Sequence, residues 1–310
     1  MERFKRAIDY PRLFARGLNR VYHRRGGLRS DYSRGIHVFE EDWDTLLVLD
    51  ACRYDMFERV NHLQGALSAK ESRGSATTEW LRANIDGRDL SDTVYISANP
   101  QLERNREDWN VTFHEITNIW LDKGWDSETG TVLAETMNEA AIRGHERFPD
   151  KRIVVHYMQP HYPFVSSTID QVDDHLSSIQ GHNDTATGEN VWNQKFTGTL
   201  DVADEKLWEV YSANLEYVLN HVEDLLSHIS GKTVITSDHG NYVGERAFPI
   251  PIREYGHPRG LYDEPVIRVP WLEISNGLRR DVVAESSDDI NVDVEEETVE
   301  NRLKDLGYVE

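Results

Sequence analysis

Residues 233–245 read TVITSDHGNYVGE, a β-branched run that ends abruptly at an acidic residue. Such a run, followed by turn residues, predicts a buried strand. In an open α/β sheet, side chains at the carboxyl end of a strand point into the crevice where ligands bind. Asp238 and His239 would there offer an oxygen and a nitrogen that suit a divalent cation, beside a backbone turn allowed by Gly240. A strand end with a capping aspartate and a solvated histidine explains these residues equally well.

The bulk composition limits the classes of protein. The chain has 310 residues, enough for a full core, and a net charge of −21 from 55 acidic and 34 basic residues. Such a charge argues against general affinity for nucleic acid. The spread of acid resembles proteins from salt-loving archaea, so we expect a halophilic protein, with an ordinary acidic cytosolic enzyme as the alternative.

Cysteine content and hydropathy bear on location. The single cysteine, Cys52, excludes an internal disulfide framework and a multi-cysteine metal site, and fits a reducing compartment. No apolar run is long enough to span a bilayer, and the N-terminus lacks the apolar core of a signal peptide. We therefore expect a cytoplasmic protein.

Residues 1–34 depart from the acidic bias, with ten Lys or Arg against three acidic residues. Apolar residues interleave with the bases at helical spacing, interrupted by Pro11. One interpretation is a peripheral contact with the anionic inner membrane surface. The alternatives are a helix that pairs with the protein's own acidic surface and a partly disordered arm.

Five further stretches stand out. Residues 44–50 read DTLLVLD, a continuously apolar run typical of a central parallel strand, and end in Asp50, whose alternative role is to cap the following helix. Residues 72–81 read SRGSATTEWL and predict a helix start, where Ser75, Thr77 or Thr78 could serve as the N-cap. Residues 151–164 contain a strand followed by QPHYPF. Residues 206–228 have helical apolar spacing, and residues 255–272 read YGHPRGLYDEPVIRVPWL.

Taken in order, these stretches resemble the sulfatases of the alkaline phosphatase superfamily. Residues 236–240, with Gly244 and Glu245, resemble its metal-binding signature, and residues 255–272 resemble its Lys-His-x-x-Leu-Tyr-Glu…Arg-Val-Pro stretch. The resemblance covers most of the chain. It implies an α/β fold, alkaline-phosphatase-like, with a mainly parallel central sheet sandwiched between helices.

The resemblance also implies site residues. One divalent metal ion (Mn, Zn, Ca or Mg) would be held by four side chains, namely Asp50, Thr77, Asp238 and His239, and a second metal ion is an open alternative. Gly-Ser-Ala-Thr resembles the Gly-Ser-x-Thr of threonine-bearing members, which makes Thr77 the nucleophile and Thr78 the second choice. A cation and a helix N-terminus would both favour its alkoxide. His161 and His257 match histidines that contact the transferred oxyanion or protonate the leaving group.

Some positions depart from the family pattern. The Cys-x-Pro-x-Arg motif of formylglycine sulfatases is missing, so the chain looks more like the branch with an unmodified Thr, which includes phosphoethanolamine transferases and lipoteichoic acid synthases. Gln159 or Pro160 stands near an expected Asp. Gly256 stands where many members have Lys, and Arg53 or Arg259 could replace that contact to a substrate oxyanion. For either arginine, a surface salt bridge is the alternative.

We therefore expect a metal-dependent hydrolase or transferase of sulfate or phosphate esters that forms a covalent Thr ester. Its substrate would be an anionic ester, with a glycan-linked or lipid-linked ester as one candidate. The alternative is a non-catalytic relative that binds an anionic glycan or lipid headgroup. We expect three parts: a basic arm over residues 1–34, the α/β domain over 35–280, and an acidic linker with a C-terminal helix over 281–310 that docks on the main domain.

Overall fold

The protein is described by a computed structural model. It covers residues 11–121, 124–165, 190–285 and 295–308. Residues 1–10 of the expected arm and residues 286–294 of the expected linker lie outside these ranges. Among the described residues, no helix is both long and apolar enough to cross a bilayer.

A seven-stranded sheet forms the centre of the fold, in the order β2-β9-β6-β1-β5-β3-β4. Strands β6, β1, β5, β3 and β4 pair with one another in parallel. Strand β9 is antiparallel to both of its neighbours, β6 and β2. Strands β7 and β8 form a separate antiparallel ribbon. The strands are β1 (Thr45–Leu49), β2 (Ala66–Glu71), β3 (Asp89–Ser97), β4 (Thr112–Asn118), β5 (Arg152–Tyr157), β6 (Gly231–Thr236), β7 (Tyr242–Arg246), β8 (Arg253–Gly256) and β9 (Arg268–Asn276).

Helices connect the strands, as parallel pairing requires. The helix predicted over residues 206–228 is present as α7. In chain order the described helices are α1 (Pro11–His23), α2 (Tyr54–Val60), α3 (Thr77–Ile85), α4 (Gln101–Asn105), α5 (Ala134–Arg147), α6 (Val191–Thr197), α7 (Asp204–Leu226), α8 (Glu264–Ile267) and α9 (Glu296–Asp305).

The core lies on both faces of the sheet, because successive side chains of a strand point to opposite faces. Leu47 and Leu49 of β1 join the cluster that contains the apolar faces of α5 and α7. Leu46 and Val48 join a second cluster, with Trp80 and other side chains of α3. The expected α/β class, with a mainly parallel sheet between helices, is confirmed.

The N-terminal basic segment folds onto the main body. Pro11 is the first described residue of α1, in accord with the tolerance of proline in a first helical turn. The inner face of α1 is fixed by Asn19, which exchanges two hydrogen bonds of 2.8 and 2.9 Å with the backbone of Ile250. Arg16 binds the buried carboxylate of Glu254 at 2.6 Å. The described part of this segment therefore pairs with acidic groups of the protein itself, as one of the interpretations of the sequence predicted.

Candidate active site

Four neighbouring parallel strands end at one edge of the sheet, and a polar side chain follows each of them. Asp238 comes after β6, Asp50 after β1, His161 after β5 and Asn99 after β3. Since β6, β1, β5 and β3 are adjacent in that order, these side chains meet in one place. The ligand crevice expected at the carboxyl ends of the strands is therefore built from residues far apart in sequence.

Asp50, Asp238 and His239 form a buried cluster suited to a metal ion. All three are fully buried, and one ligand atom from each lies within 4.8 Å of the other two. His239 Nε2 is 3.3 Å from Asp238 Oδ2 and 3.8 Å from Asp50 Oδ1. Neither carboxylate oxygen has a hydrogen-bond partner among the described residues. Because a buried carboxylate oxygen without a partner is costly, these atoms fit a cation as their missing partner.

The tautomer of His239 suits the same role. Its Nδ1 lies 2.8 Å from the carbonyl oxygen of Gly240, which can only accept a hydrogen bond. The proton of the neutral ring is therefore on Nδ1, and the lone pair of Nε2 faces Asp50 and Asp238. A hydrogen bond from the remote ring nitrogen to a carbonyl is the usual way to orient a metal-binding histidine.

Thr77 directs its hydroxyl group at this cluster. It is the first residue of α3, and Ala76 occupies the N-cap position without any side-chain capping bond. Thr77 Oγ1 lies 3.3 Å from His239 Nε2 and 3.5 Å from Asp50 Oδ2. The alternative role as a capping side chain does not apply to Thr77. Thr78 instead lines a neighbouring cavity.

Asp50 is held by donors that the sequence analysis missed. Its Oδ2 accepts hydrogen bonds from Asn99 Nδ2 at 2.7 Å and from the Tyr308 hydroxyl at 2.9 Å. Burial opposes ionisation of Asp50, but His156, His161 and His239 stabilise the carboxylate and hold its pKa below the usual range. The carboxylate is therefore the form present at neutral pH.

His156 lies behind Asp50. His156 is buried, and its Nε2 is 3.6 Å from Asp50 Oδ2. Its Nδ1 is 2.8 Å from the Tyr95 hydroxyl, and the two groups are hydrogen-bonded. Nε2 is thus the ring nitrogen that faces the Asp50 carboxylate.

The backbone beside Asp50 is unusual. Ala51 has a φ of 60°, in the left-handed region that a residue with a Cβ rarely adopts. The conformation lets the Ala51 N–H donate to Asp238 Oδ1 at 3.0 Å, while its carbonyl accepts from the Tyr211 hydroxyl. Backbone strain at a strand end of this kind is characteristic of functional sites.

His161 and His257 form the outer wall of the cluster. Their Nε2 atoms are 3.0 Å apart, and the His257 ring stacks on His239 with centroids 4.3 Å apart. Burial lowers the pKa of both His161 and His257, so both rings are neutral at pH 7. His161 Nδ1 binds the carbonyl oxygen of Tyr162 and must carry its proton there. The hydrogen bond between the two rings therefore uses the Nε2–H of His257.

The two arginines considered for substrate binding have different surroundings. Arg53 is buried and engaged by two carboxylates, those of Asp55 at 2.7 Å and Glu245. It does not line the cavity beside the cluster. Arg259 does line that cavity, is half exposed, and lies 3.5 Å from the buried Glu79.

Two further positions differ from their expected roles. Gly240 does not have a positive φ, so the sharp turn is not the reason for glycine there. A Cβ at this position would instead collide with the carbonyl oxygen of Pro265. The side-chain amide of Gln159 donates to the carbonyl of Val132 at 2.9 Å, and Gln159 is not part of the group of Asp50, Asp238 and His239.

Comparisons with known proteins give only distant likenesses. No family model matches the chain, and no curated protein matches it. Among solved structures, the soluble domain of lipooligosaccharide phosphoethanolamine transferase A from Neisseria meningitidis is 13% identical, with a TM-score of 0.45, covering 74% of this chain and 75% of that one. The periplasmic domain of a phosphoethanolamine transferase from Campylobacter jejuni is 14% identical, with a TM-score of 0.47 and coverage of 75% and 78%.

A protein described as belonging to the alkaline phosphatase superfamily, from Vibrio parahaemolyticus, is 15% identical, with a TM-score of 0.43 and coverage of 85% and 65%. The description of this last protein names the superfamily that the motifs resemble. At such identities and TM-scores, they assign neither an activity nor a substrate to this chain.

Asn99 and Tyr308 were missed for different reasons. Asn99 carries the signal that pointed to Asp50, a polar residue just after an apolar strand, and the same rule applied to β3 would have found it. Tyr308 has no such signal. It reaches the site because Leu303 and Leu306, at the end of α9, are buried in the main core, and its ring then stacks on His161 with centroids 5.0 Å apart.

Proposed function

We propose that this protein is a metal-dependent enzyme that hydrolyses or transfers phosphate or sulfate esters, with Thr77 as its nucleophile. The observation that carries the proposal is the position of Thr77 Oγ1. It lies 3.3 Å from His239 Nε2 and 3.5 Å from Asp50 Oδ2, beside two buried carboxylate oxygens that have no hydrogen-bond partner in the described part of the chain. A hydroxyl aimed at a metal-binding cluster is the arrangement that metal-assisted nucleophilic catalysis requires.

The residues that would hold a divalent ion are Asp50, Asp238, His239 and Thr77. Two carboxylates, one imidazole and one hydroxyl offer mixed oxygen and nitrogen ligands, which suit Zn²⁺ or Mn²⁺ and also accept Mg²⁺ or Ca²⁺. When bound, the ion lowers the pKa of a coordinated hydroxyl and neutralises oxyanion charge. The cluster of Asp50, Asp238 and His239 is the one such group found in the described part of the chain, which supports one metal ion.

The chain's own residues would then act in sequence. The hydroxyl proton of Thr77 would pass to the hydrogen-bonded pair of His161 and His257, which then carries one extra proton. Thr77 Oγ1 would attack phosphorus or sulfur and form an ester bond as the bond to the leaving-group oxygen breaks, and the histidine pair would return its extra proton to that oxygen. Water or an acceptor alcohol then cleaves the Thr77 ester and restores the hydroxyl.

The decisive experiment compares Thr77→Ala with Thr78→Ala. Activated esters of three kinds (a sulfate monoester, a phosphate monoester and a phosphodiester) are assayed across Mn²⁺, Zn²⁺, Mg²⁺ and Ca²⁺. We expect Thr77→Ala to reduce turnover at least about 10³-fold, because removal of a nucleophile leaves only binding and electrostatic effects. Thr78→Ala should keep most of the activity. Unchanged turnover in Thr77→Ala would refute the assignment.

A second candidate function is non-catalytic binding of an anionic glycan or lipid headgroup. One observation favours it, since the Tyr308 hydroxyl lies 3.4 Å from Thr77 Oγ1 and already takes up space in front of the nucleophile. This function predicts metal content without turnover of any ester in the panel. Turnover that depends on Thr77 would exclude it.

We also propose that α1 lies on an anionic membrane surface. Its outward side chains Phe14, Leu18, Val21 and Tyr22 are 64%, 43%, 56% and 55% exposed, while Arg16 and Asn19 hold its other face to the protein. Exposed apolar side chains among basic residues are typical of helices at lipid headgroups.

Vesicle sedimentation tests the membrane proposal. We expect binding to vesicles rich in phosphatidylserine and not to pure phosphatidylcholine, with loss of binding in the double variant Phe14→Ser, Leu18→Ser. Leu278→Ser, which changes an 87% exposed leucine elsewhere, serves as the control. Equal binding by both variants would contradict the proposal.

A further inference from the structure

A cavity of about 540 Å³ opens beside the catalytic cluster. Its walls include His257 and Tyr308, which also face the cluster, and Ala76 and Thr78, the residues on either side of Thr77. A ligand with its reacting group at Thr77 would therefore extend into this space. The volume lies in the usual range for a small-molecule site.

The charge of the cavity wall contrasts with the charge of the protein. Four of the described residues that line it are arginines, Arg16, Arg20, Arg104 and Arg259, and none is acidic. The chain as a whole contains 55 acidic residues against 34 basic ones. A cluster of cations in a concave site, on a protein of charge −21, concentrates a positive potential at that point.

Three of the four arginines have acidic partners outside the cavity. Arg16 binds the buried Glu254 at 2.6 Å, and Arg104 lies 3.2 Å from Glu300. Arg259 lies 3.5 Å from Glu79, but that carboxylate also binds Arg24 at 2.7 Å. One carboxylate thus faces two guanidinium groups, which leaves positive charge unbalanced.

Arg20 is the fourth, and it is accessible to solvent. It forms no ion pair with any acidic group of the described residues. Partial desolvation, together with the charges of Arg16 and Arg24, lowers the pKa of Arg20, so its neighbours already destabilise the cation. A guanidinium group in this position gains from an incoming anion, which it can bind through two parallel N–H donors.

We infer that this cavity binds a second tetrahedral oxyanion, a phosphate or sulfate group, carried by the same substrate whose ester reacts at Thr77, with Arg20 as its main contact. The inference rests on the proposed function and narrows its substrate class. The preferred substrate is a small molecule or headgroup with two anionic groups, of which only the one at Thr77 is transferred. The remote group supplies binding and orientation.

Binding of phosphonates tests this without any turnover, since their P–C bond resists hydrolysis. Isothermal titration calorimetry on the metal-loaded protein at constant ionic strength compares butylphosphonate with alkane bisphosphonates from propane to hexane. We expect the best bisphosphonate to bind at least about tenfold more tightly than butylphosphonate, as a charge-assisted bidentate contact implies. Butane disulfonate against butane sulfonate shows whether sulfate-type groups share the site.

Substitutions of Arg20 test whether this side chain causes the tighter binding of the bisphosphonate. Arg20→Gln should reduce the preference for the bisphosphonate to within about twofold, while Arg20→Lys should retain part of it because the charge remains. Arg12→Gln is the matched control: it removes one charge from an exposed position of the same helix, outside the cavity. Arg16 is unsuitable, because its removal would leave Glu254 buried and unpaired.

Two outcomes overturn the inference. One is a bisphosphonate that binds no more tightly than butylphosphonate, and the other is equal loss of the preference in Arg20→Gln and Arg12→Gln. Failure of the proposed function is distinct, since it would appear as absent Thr77-dependent turnover while the difference in phosphonate binding persisted.

Discussion

Two buried carboxylate oxygens, Asp50 Oδ1 and Asp238 Oδ2, lack a hydrogen-bond partner among the described residues. At the scale of the single residue, two buried carboxylate oxygens without partners are costly in the metal-free protein. No Lys or Arg among the described residues forms an ion pair with either side chain. A divalent cation bound by Asp50, Asp238 and His239 would remove that cost, so metal binding and stability should be linked.

The substitution Asp50→Asn separates the two effects. The amide can still accept from Asn99 and Tyr308, and its NH₂ group can donate toward the unpaired oxygen of Asp238. We therefore expect the metal-free variant to be at least as stable as the metal-free wild type. The metal affinity should fall about 100-fold or more, since the site loses one charged ligand.

Thermal unfolding with and without Mn²⁺ or Zn²⁺ measures both quantities. The wild type should show a rise in Tm with metal that the Asp50→Asn variant lacks. Asp89→Asn, at an exposed position of β3, should behave like the wild type. A metal-dependent rise in Tm of equal size in Asp50→Asn would rule out Asp50 as a ligand.

At the scale of the element, α5 and β1 are joined by a histidine. His145 Nδ1 binds the carbonyl of Ala141 at 2.8 Å and therefore carries its proton there, so Nε2 accepts from the Thr45 hydroxyl at 2.9 Å. Burial lowers the pKa of His145 to about 4. Protonation would break the bond from Thr45 and place a charge in the core.

This predicts a loss of stability on acidification. In the unfolded chain His145 takes up its proton near pH 6.5, and in the folded protein only near pH 4. Between these values protons favour the unfolded chain, so the free energy of unfolding should fall as the pH falls, by about 1.4 kcal/mol per pH unit for one such group. Burial also lowers the pKa of His37 to about 4, which adds to the slope.

Urea denaturation between pH 4 and pH 6.5 checks the prediction. His145→Gln should reduce the slope of the free energy of unfolding against pH by about 1.4 kcal/mol per pH unit, the contribution of one titrating group. The reason is that Gln can accept from Thr45 but does not titrate in this range. His228→Gln, at an exposed position, should leave it unchanged. An unaltered slope in His145→Gln would show that the folded protein tolerates the charged ring.

The strands and helices also show which parts of the fold and of the site could be predicted from sequence patterns. Apolar runs that end in acidic residues located β1 and β6, and the resemblance to the superfamily then implied that Asp50 and Asp238 meet. A capping role for Thr77 could not be excluded from sequence, because only the structure shows that Ala76 holds the N-cap position. The location of α1 depends on Asn19 and Arg16 finding Ile250 and Glu254, contacts between distant segments that no local pattern encodes.

At the scale of the whole molecule, the net charge of −21 should make stability depend on salt. Like charges spread over one surface repel, and salt screens that repulsion, with a Debye length of about 10 Å at 0.1 M and about 3 Å at 1 M. We expect the Tm to rise as KCl increases over this range, with the same rise in NaCl. Chloride salts avoid competition for the arginine-lined cavity. A Tm that is constant or falls with salt would contradict the halophilic interpretation.

Tyr308 contacts Asp50 across 258 positions of sequence. During synthesis on the ribosome, a chain that has emerged as far as α7 contains Asp50 and Thr77 but lacks Asp238, His239 and Tyr308. Tight capture of an ion must therefore wait until β6 has joined the sheet, and the front of the pocket is finished later still, when α9 docks. The order of translation thus places completion of the cluster of Asp50, Asp238 and His239 after the synthesis of β6, and the arrival of Tyr308 after the synthesis of α9.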